Sequence, residues 1–479
     1  MRYQTIARIA FLLAYPFCGC ATYRPAPLKP VEAAHQFVQR TLVSPELCAY
    51  LRDNPGAGVS WCPPAQWNLS ALTLAGFFYS PLLPVAEAKL SVAKAAIITA
   101  RQRPNPSFGL GPAYTASAAP SFAPWAIGAV QMNFPIETAG KRGYRIAQAE
   151  SLADAAALAV GETAWRVRSA VRAALLNQLV AQRDFDLARG YESASEQAEK
   201  LLRERVSAGA AAAPALDFAL ANLAAARLKA AQAQTRVPET LNILAAAVGV
   251  PVEAIEGLKF TWPGLDQLPS AVWLTPARVQ RLALLNRIDL RRMLARYAAA
   301  DEALKLEIAR QYPDINLGSG YSWEVNENIF ELVPIVTLPL MNQNQGPIAE
   351  AEARRAQIAA EFVALQDGII AQAKGALTSY RGALRALEQG SNSAAFSEQR
   401  LAAIQRSADL GDIDALTLVT AQLETIVANQ AKLRALADAQ QTLGTLEDAV
   451  ERPLQKRDLK SFSLPASLQN HNTEGVQVP

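Results

Sequence analysis

The feature that most restricts the fold of this chain is an internal duplication. Residues 106–114 align without a gap on residues 313–321, and Pro, Leu, Gly and Tyr recur at the same positions. Further matches follow in the same order: 134–136 with 338–340, 146–150 with 348–352, 205–209 with 406–411, and 215–222 with 415–422. Matches in a constant order indicate a tandem repeat, so both halves of the chain are predicted to fold as the same unit.

Each repeat contains a helical tract that is far longer than an ordinary globular helix. Residues 144–206 and 347–409 each run for more than 60 residues with no proline after the first position, which corresponds to roughly 90 Å of α-helix. After a glycine-containing turn, the chain is predicted to return through helices at 215–248 and 414–450. In the second tract apolar residues step by four and three positions, the spacing of a coiled-coil seam: Ile358, Phe362, Leu365 and Ile369, then Leu377, Tyr380, Leu384 and Leu387.

Two candidate β-strands precede each long tract. In 107–114 and 315–323, large apolar residues alternate with small or polar ones, and partner strands are predicted at 124–135 and 330–340. One apolar and one small or polar face over about 9 to 11 residues suits a tilted membrane-spanning strand. A soluble hairpin with one buried face is the alternative.

Four strands are too few to close a barrel by themselves. Open sheet edges are prohibitively costly in hydrocarbon, so strands that face lipid need neighbouring copies of the chain to supply the remaining strands. Oligomerisation is therefore predicted on the condition that these strands enter a membrane.

The N-terminus carries the features of an export signal. Two arginines flank the start of an apolar run at 9–15, and Cys20 directly follows a small residue. This arrangement predicts a signal peptide over residues 1–19 and a lipid on Cys20, with Cys18 as a competing position and an ordinary signal peptide as the alternative. Proline-rich sequence after Cys20 is typical of an extended tether.

Two further cysteines, Cys48 and Cys62, remain in the mature chain. An even pair in an oxidising compartment can form a disulfide. Geometry decides whether it forms, so the sequence leaves the pairing open.

Composition and motifs exclude several classes of function. Lys and Arg total 46 against 43 Asp and Glu with both signs interspersed, which argues against nucleic acid as a partner. With only two His, a His-rich metal site is nearly excluded, and no apolar stretch of about 18 residues beyond the N-terminus predicts a helical membrane span. The phosphate-loop-like string 140–142 has Pro135 where glycine is needed, and no Gly-x-Ser-x-Gly occurs. We predict no enzymatic activity, cofactor or metal site.

Four short strings carry a resemblance to a known family. They are 64–67 (PAQW), 104–106 (PNP), 135–142 (PIETAGKR) and 346–350 (GPIAE). With the duplicated strand–strand–hairpin unit and the lipoprotein-like start, the chain from about residue 60 to 450 resembles the TolC-type outer membrane factors of tripartite efflux pumps. The string ETAGKR is most similar to the heavy-metal-pump branch of that family.

The resemblance implies a mainly α fold with a membrane β-barrel contribution. Each of three chains would give four strands to a twelve-stranded barrel, which continues as a periplasmic α-helical cylinder. The domains expected from the sequence and the resemblance are a signal peptide (1–19), a lipid-anchored tether (20–60), a first repeat (61–250), an equatorial connector (251–285), a second repeat (286–450) and a polar, disordered tail (451–479).

The same resemblance implies an exit duct with no chemistry of its own. Its partners would be two further copies of the chain, outer membrane lipid, a periplasmic adaptor and an inner-membrane RND-type transporter. The transported substrate stays open among metal cations, drugs and organic solvents. The hairpin turns resemble the tips where the adaptor docks, and the residues concerned are Val206, Gly209, Leu410 and Gly411.

An acidic cluster lies beside the second turn. A trimer would place nine carboxylates from Asp409, Asp412 and Asp414 around one end of the duct, where charged rings can gate or select ions. Arg203 and Arg205 near the first turn are candidate partners. The alternative is a solvated acidic loop.

Two other functions compete with the efflux duct. A lipid-anchored periplasmic coiled-coil structural protein would share the helices and the signal but would have no reason for four alternating strands. An outer membrane duct for type I protein secretion would share every feature described above.

Overall fold

The computed structural model describes residues 22–54, 62–114, 125–324 and 327–455. The predicted signal peptide, Cys20 and residues 456–479 lie outside the described residues. The chain divides into two units, residues 1–40 and 41–479. Within the first unit the described residues form one exposed helix, α1 (Pro30–Val38), which starts with proline in its first turn, where the missing N–H has no intrahelical role.

The second unit carries the duplicated architecture. Its helices and strands, in chain order, are α2 (Pro45–Asp53), α3 (Leu69–Tyr79), α4 (Leu82–Arg101), β1 (Ser107–Tyr114), β2 (Trp125–Ile136), α5 (Lys141–Ser207), α6 (Ala213–Val248), α7 (Pro276–Asn286), α8 (Ile288–Ala309), β3 (Ile315–Glu324), β4 (Glu327–Val336), α9 (Gln345–Asp409) and α10 (Ala415–Val450). Each repeat therefore consists of two leading helices, two strands and a long helical hairpin.

The two long predicted helices are confirmed. Helices α5 and α9 contain 67 and 65 residues, and they pack along their return helices α6 and α10. The predicted seam of α9 also forms, since Ile369, Leu377 and Tyr380 are buried against α10 and α7. Helix α5 contacts α10 and α8 as well, so the first repeat lies against the second.

The two leading helices of the first repeat are separated at a proline. Pro81 lies at the N-cap position of α4 and interrupts the helical region. Pro84 lies in the first turn of α4, where a residue needs no N–H because no intrahelical carbonyl is available to accept from it. Within the described residues no single helix has the length and hydropathy of a membrane span, and α3 and α4 meet that criterion only together, across a bend of 51°.

The strands form one antiparallel sheet in the order β1-β2-β3-β4. Strand β2 pairs with β3, so the duplication produces a continuous sheet and not two separate hairpins. The prediction that the fourth strand continues to residue 340 is wrong, because β4 ends at Val336, which pairs with Ile315, the first residue of β3. Beyond this pair no residue of β3 is left to pair with β4, and Pro313 lacks the N–H that a ladder hydrogen bond needs.

Two large apolar clusters stabilise the second unit. The first joins α2, α3, α4, α5 and the end of α6, and the second joins α7, the start of α8, α9 and α10. The connector 251–275 supplies residues to both, with Ile255 and Leu265 in the first and Leu274 in the second. The connector also pairs with the chain before α3, where the Trp67 N–H donates to the Lys259 carbonyl at 2.8 Å.

The predicted tether is partly folded core. Ser44 caps α2 by accepting a hydrogen bond from the Leu47 N–H, and Pro45 occupies the first turn. Leu42, Leu47 and Leu51 are fully or almost fully buried in the first cluster. A tether up to residue 60 is therefore incorrect for residues 41–53, because Leu47 and Leu51 lie on the buried side of α2, which packs against α3, and Leu42 is buried just before it.

The structure also pairs the two cysteines and packs the described end of the chain. Cys48 and Cys62, whose pairing the sequence left open, form a disulfide with Cα atoms 5.5 Å apart. The described end of the predicted tail is packed, with Leu454 and Gln455 buried. The reason is a hydrogen bond of 2.7 Å from the Leu454 N–H to the buried carboxylate of Glu447.

Candidate functional site

One face of the sheet is apolar across all four strands. Cross-strand partners lie on the same face, so the pairs Phe108–Met132, Met132–Ser319 and Ser319–Leu332 run across it, with Phe330 beside them. Phe108 is 66% exposed, Phe330 80% and Leu332 68%. An apolar patch of this kind marks a surface that contacts lipid or another protein.

The opposite face carries small and polar residues. Gly109 pairs with Gln131, Gln131 with Gly320, and Gly320 with Glu331. A Cβ added at Gly318 would lie 3.0 Å from Asn133 Oδ1 and 3.1 Å from the Val333 carbonyl oxygen, so glycine is needed for close packing there. The alternation predicted from the sequence therefore produces two chemically distinct surfaces of one sheet.

Residues 137–142 connect the sheet to the helices through hydrogen bonds and ion pairs. Lys141 is buried, and its Nζ donates to Asp314 Oδ1 and to the Tyr312 carbonyl, both at 2.7 Å. Thr138 donates its N–H to the same aspartate at 3.0 Å. Burial works to raise the pKa of Asp314, but the bonds from Lys141 and Thr138 outweigh it and hold the pKa below its ordinary value. The start of the first hairpin is thus locked to the start of β3.

A second contact set completes this joint. Arg145 forms an ion pair of 2.7 Å with Glu137 and donates to the carbonyls of Ala100 and Gln102 at the end of α4. In the second repeat Asn344, in the left-handed region at φ +61°, precedes α9 and donates to Glu307 of α8. Both repeats therefore hold the strand-to-helix turn against their own leading helix.

The two hairpin tips have the same backbone conformation. Gly209 and Gly411 have φ of +71° and +82°, which glycine adopts without strain. The N–H groups of Ala210 and Asp412 reach back to the carbonyls of Arg205 and Ser407, so both long helices end in the same glycine-containing motif. The other two predicted tip residues differ in exposure: Leu410 is 80% exposed and Val206 is half-buried.

The tips differ at the start of the return helix. Asp414 accepts hydrogen bonds from the N–H groups of Leu416 and Thr417 and so caps α10, whereas Ala212 offers α6 no side-chain cap. Asp414 also pairs with Arg205 of the first tip at 2.8 Å. Desolvation works to raise the pKa of Asp414, but the N–H groups of Thr417 and Leu416 and the charge of Arg205 together lower it.

The remaining predicted gate residues do not join the ion pair between Arg205 and Asp414. Asp409 is exposed and accepts a hydrogen bond from Gln405, and Asp412 is exposed in the turn. Arg203 pairs with Glu199 one turn earlier on α5, so it is not directed at the second tip. Only Arg205 and Asp414 link the two tips through their side chains among the predicted residues.

A buried polar network joins the repeats and was not predicted. Arg168 and Arg172 on α5 are each 3% exposed and lie 3.3 and 3.4 Å from the carboxylate of Glu447 on α10, which is fully buried. Arg172 also donates to Gln440, whose amide donates to the Leu265 carbonyl of the connector. The only sequence signal was two arginines spaced by four residues on one helix face.

The first repeat is similar to a known family of proteins. Residues 79–250, which hold α4, the first strand pair and the first helical hairpin, match the family model described as outer membrane efflux protein. The part of the chain that holds the first repeat is therefore similar to outer membrane efflux proteins. An outer membrane efflux channel, and not an enzyme, is the function that this match supports.

Relatives and solved structures extend the match beyond the first repeat. The chain is 26% identical over 334 residues to the cobalt-zinc-cadmium resistance protein CzcC of Cupriavidus metallidurans, an alignment that covers 67% of this chain and 76% of the relative. Its fold is similar to that of the outer membrane protein VceC of Vibrio cholerae, with a TM-score of 0.64, 18% identity and coverage of 81% and 97% of the two chains.

A further solved structure has the same fold. The open state of the MtrE outer membrane channel of Neisseria gonorrhoeae matches with a TM-score of 0.61 and 17% identity, over 81% of this chain and 90% of MtrE. These similarities establish the fold of the chain. Across the described ranges no three His, Cys, Asp or Glu side chains are grouped to hold a metal ion.

Proposed function

We propose that this chain is the exit duct of a tripartite efflux pump and that three copies share one outer membrane barrel. The sheet carries the proposal: its apolar face is exposed, and the outer edges of β1 and β4 pair with no other described strand. Unpaired backbone groups in hydrocarbon cost several kcal/mol each, so such a sheet is stable in a membrane only when closed. Three copies of four strands give twelve, an even number typical of outer membrane barrels.

In a closed barrel the apolar face contacts lipid and the small face lines the lumen. Gly109, Gly318, Gly320, Asn133 and Asn316 lie on that second face by their register. Small and polar side chains leave an aqueous passage instead of a packed core. This supports passive conduction of solutes.

The helical hairpins supply the periplasmic end of the duct. Helix α5 would be about 100 Å long at 1.5 Å per residue, which suits a periplasm-spanning wall. We assign adaptor docking to the tips, at Val206, Gly209, Leu410 and Gly411, where helix-against-helix contact would join the duct to the adaptor and its RND-type transporter. The exposed Leu410 gives this surface an apolar contact point.

A lipid anchor and a substrate class complete the proposal. Cys20 would carry the lipid that attaches the N-terminus to the outer membrane. Divalent transition-metal cations are the proposed substrate because the relative CzcC is a cobalt-zinc-cadmium resistance protein. The duct would pass these ions without holding them.

The shared barrel is tested by the native mass of the protein extracted in detergent from separated outer membranes. A heat-labile trimer is expected. A monomer released by gentle washing would overturn the duct and would favour the lipid-anchored coiled-coil protein.

Neighbouring residues on β4 provide a matched pair of variants. Leu332 lies on the apolar face and Val333 on the opposite face. Leu332→Arg is expected to abolish trimer recovery from the membrane, because arginine on the lipid face costs about 2–4 kcal/mol in each chain. Val333→Arg is expected to keep the trimer. Equal effects of the two substitutions would contradict the assignment of the faces.

We also propose that Asp409, Asp412 and Asp414 form the periplasmic gate, with Arg205 holding the closed state through Asp414. An exposed pair contributes about 1 kcal/mol or less, which suits a gate that must open. Asp414→Asn keeps an oxygen for the helix cap and removes the charge. Single-channel recordings of this variant and of the triple Asn variant should show raised open probability and weaker cation selectivity, and unchanged values in the triple variant would reject the gate.

A further inference from the structure

Glu451 lies at the point where α5, α8 and α10 meet. It follows the last residue of α10 in the left-handed backbone region, with φ +44°. Its carboxylate Oε2 accepts a hydrogen bond of 2.5 Å from the N–H of Ile288, the first residue of α8. Arg287, at the N-cap position of α8, makes no side-chain cap, so Glu451 supplies the cap from the other end of the repeat.

The charges around Glu451 do not balance. From α8, Arg287 faces it but forms a two-pronged ion pair with Asp289. From α5, Glu162 faces it and pairs with Arg292 at 3.3 Å. The two guanidinium groups therefore already have their own carboxylates, and Glu451 is the third carboxylate of the joint.

Asp448, near the end of α10, does not compensate the negative charge around Glu451. Asp448, one turn before Glu451, directs its carboxylate to Trp165 Nε1, at 3.0 Å, and to the Ser169 hydroxyl. These partners are neutral and add no positive charge to the joint. Arg287 reaches α10 only through the Asp448 backbone carbonyl, at 3.4 Å.

Desolvation and like charge act together on this carboxyl. The pKa of Glu451 is raised to about 7 in total: burial is the largest cause, Asp289 and Glu162 also raise it, and the Ile288 N–H and Arg287 oppose the rise. The ordinary value is 4.5. The folded protein therefore binds this proton more tightly than the unfolded chain does.

We propose that Glu451 is a proton-binding site that controls how firmly the end of α10 is attached to the start of α8. With the proton bound, the carbonyl oxygen still accepts the Ile288 hydrogen bond and Glu451 adds no negative charge beside Asp289 and Glu162. When the proton leaves, a third negative charge is held beside Asp289 and Glu162, and the attachment loosens. The site is internal to one chain, so it does not depend on the proposed pump assembly.

The attachment of α10 to α8 weakens as the pH rises, because the pKa of Glu451 is higher in the folded protein than in the unfolded chain. The stabilisation that protonated Glu451 provides is fully present below about pH 4.5, declines as the pH rises, and is lost above about pH 7. The joint is therefore expected to be firm in mildly acidic surroundings and looser in alkaline ones.

Hydrogen–deuterium exchange of the full chain in detergent tests this locally. After correction for intrinsic exchange, the protection of amides in 288–292 and 448–455 should fall by up to about tenfold between about pH 6 and pH 8.5 in the wild type. In Glu451→Gln this fall should disappear. The same pH dependence in both proteins would overturn the proposal.

Two further variants keep the test decisive if Glu451→Gln does not fold. Glu162→Gln removes one repelling charge and should move the midpoint of the transition to lower pH. An unchanged midpoint would contradict the role of the cluster. Glu424→Gln, in an exposed ion pair with Arg400, is the matched control and should leave the pH profile of 288–292 unchanged, whereas a shift there would reject a local proton site.

Discussion

Arg172 of the first repeat crosses directly over Gly444 of the second, with its guanidinium in the space that a Cβ at Gly444 would occupy. The arginine cannot easily move away, because it is held by Glu447, by the Gln440 carbonyl at 3.0 Å and by the ring of Trp262, 5.1 Å from its Cζ. The close approach of α5 and α10 therefore depends on glycine at this position.

Gly444→Ala is expected to destabilise the protein by about 2 kcal/mol, because the added methyl displaces a buried, bound guanidinium. The measurement is the unfolding midpoint in detergent by circular dichroism. Gly375→Ala on α9, where a Cβ meets nothing within 4 Å, is the control and should stabilise by up to about 1 kcal/mol through helix propensity. Equal effects at the two sites would refute the packing argument.

Glu447→Gln is expected to cost about 3–5 kcal/mol, since Arg168 and Arg172 would lose the carboxylate that compensates two buried charges. Glutamine retains an oxygen for the Leu454 N–H, so the loss reports charge and not the hydrogen bond. Denaturant titration of the two proteins measures the difference. Glu424→Gln, in an exposed pair with Arg400, should cost about 1 kcal/mol or less, and a similar cost in both variants would count against the buried network.

Lys141→Met is expected to weaken the joint between the first hairpin and β3 in a pH-dependent way. The pKa of Asp314 is lowered in the folded protein, so its contribution is present above the ordinary Asp value of about 3.9 and is lost as the pH falls through the folded pKa. The difference in midpoint between wild type and variant should therefore be largest near about pH 6 and shrink below about pH 4.

Lys305→Met serves as the control for the Lys141 substitution. Lys305 pairs with Asp301 and Glu302 on one exposed helix face, so its loss should have little effect on the midpoint. A pH-independent loss in Lys141→Met would show that Asp314 is not the group responsible.

Cys48→Ser is expected to lower stability by about 3 kcal/mol, because the disulfide closes a loop with a sequence separation of 14. Cys62→Ser should have the same effect, and the double variant should cost no more than either. Thermal unfolding with and without reductant tests this. A midpoint that reductant lowers equally in wild type and Cys48→Ser would exclude the disulfide as the cause.

The sequence by itself determined the elements whose signals are local. Proline-free tracts and four-three apolar spacing predicted α5 and α9 almost to their ends, and alternation predicted both faces of the sheet. These patterns were sufficient because helix and strand periodicity is a property of neighbouring residues. The glycines at 209 and 411 marked both hairpin turns for the same reason.

Only the tertiary structure decided how the two repeats are joined. Arg168 and Glu447 are 279 residues apart in the chain, and Glu451 reaches Ile288 across 163 residues, so no local pattern connects them. No local pattern predicts the burial of Leu47 and Leu51 of α2 either. The end of β4 is likewise not local, because it depends on where its partner strand β3 begins. Burial and charge balance depend on which distant helices meet, and that is fixed by packing of the whole unit.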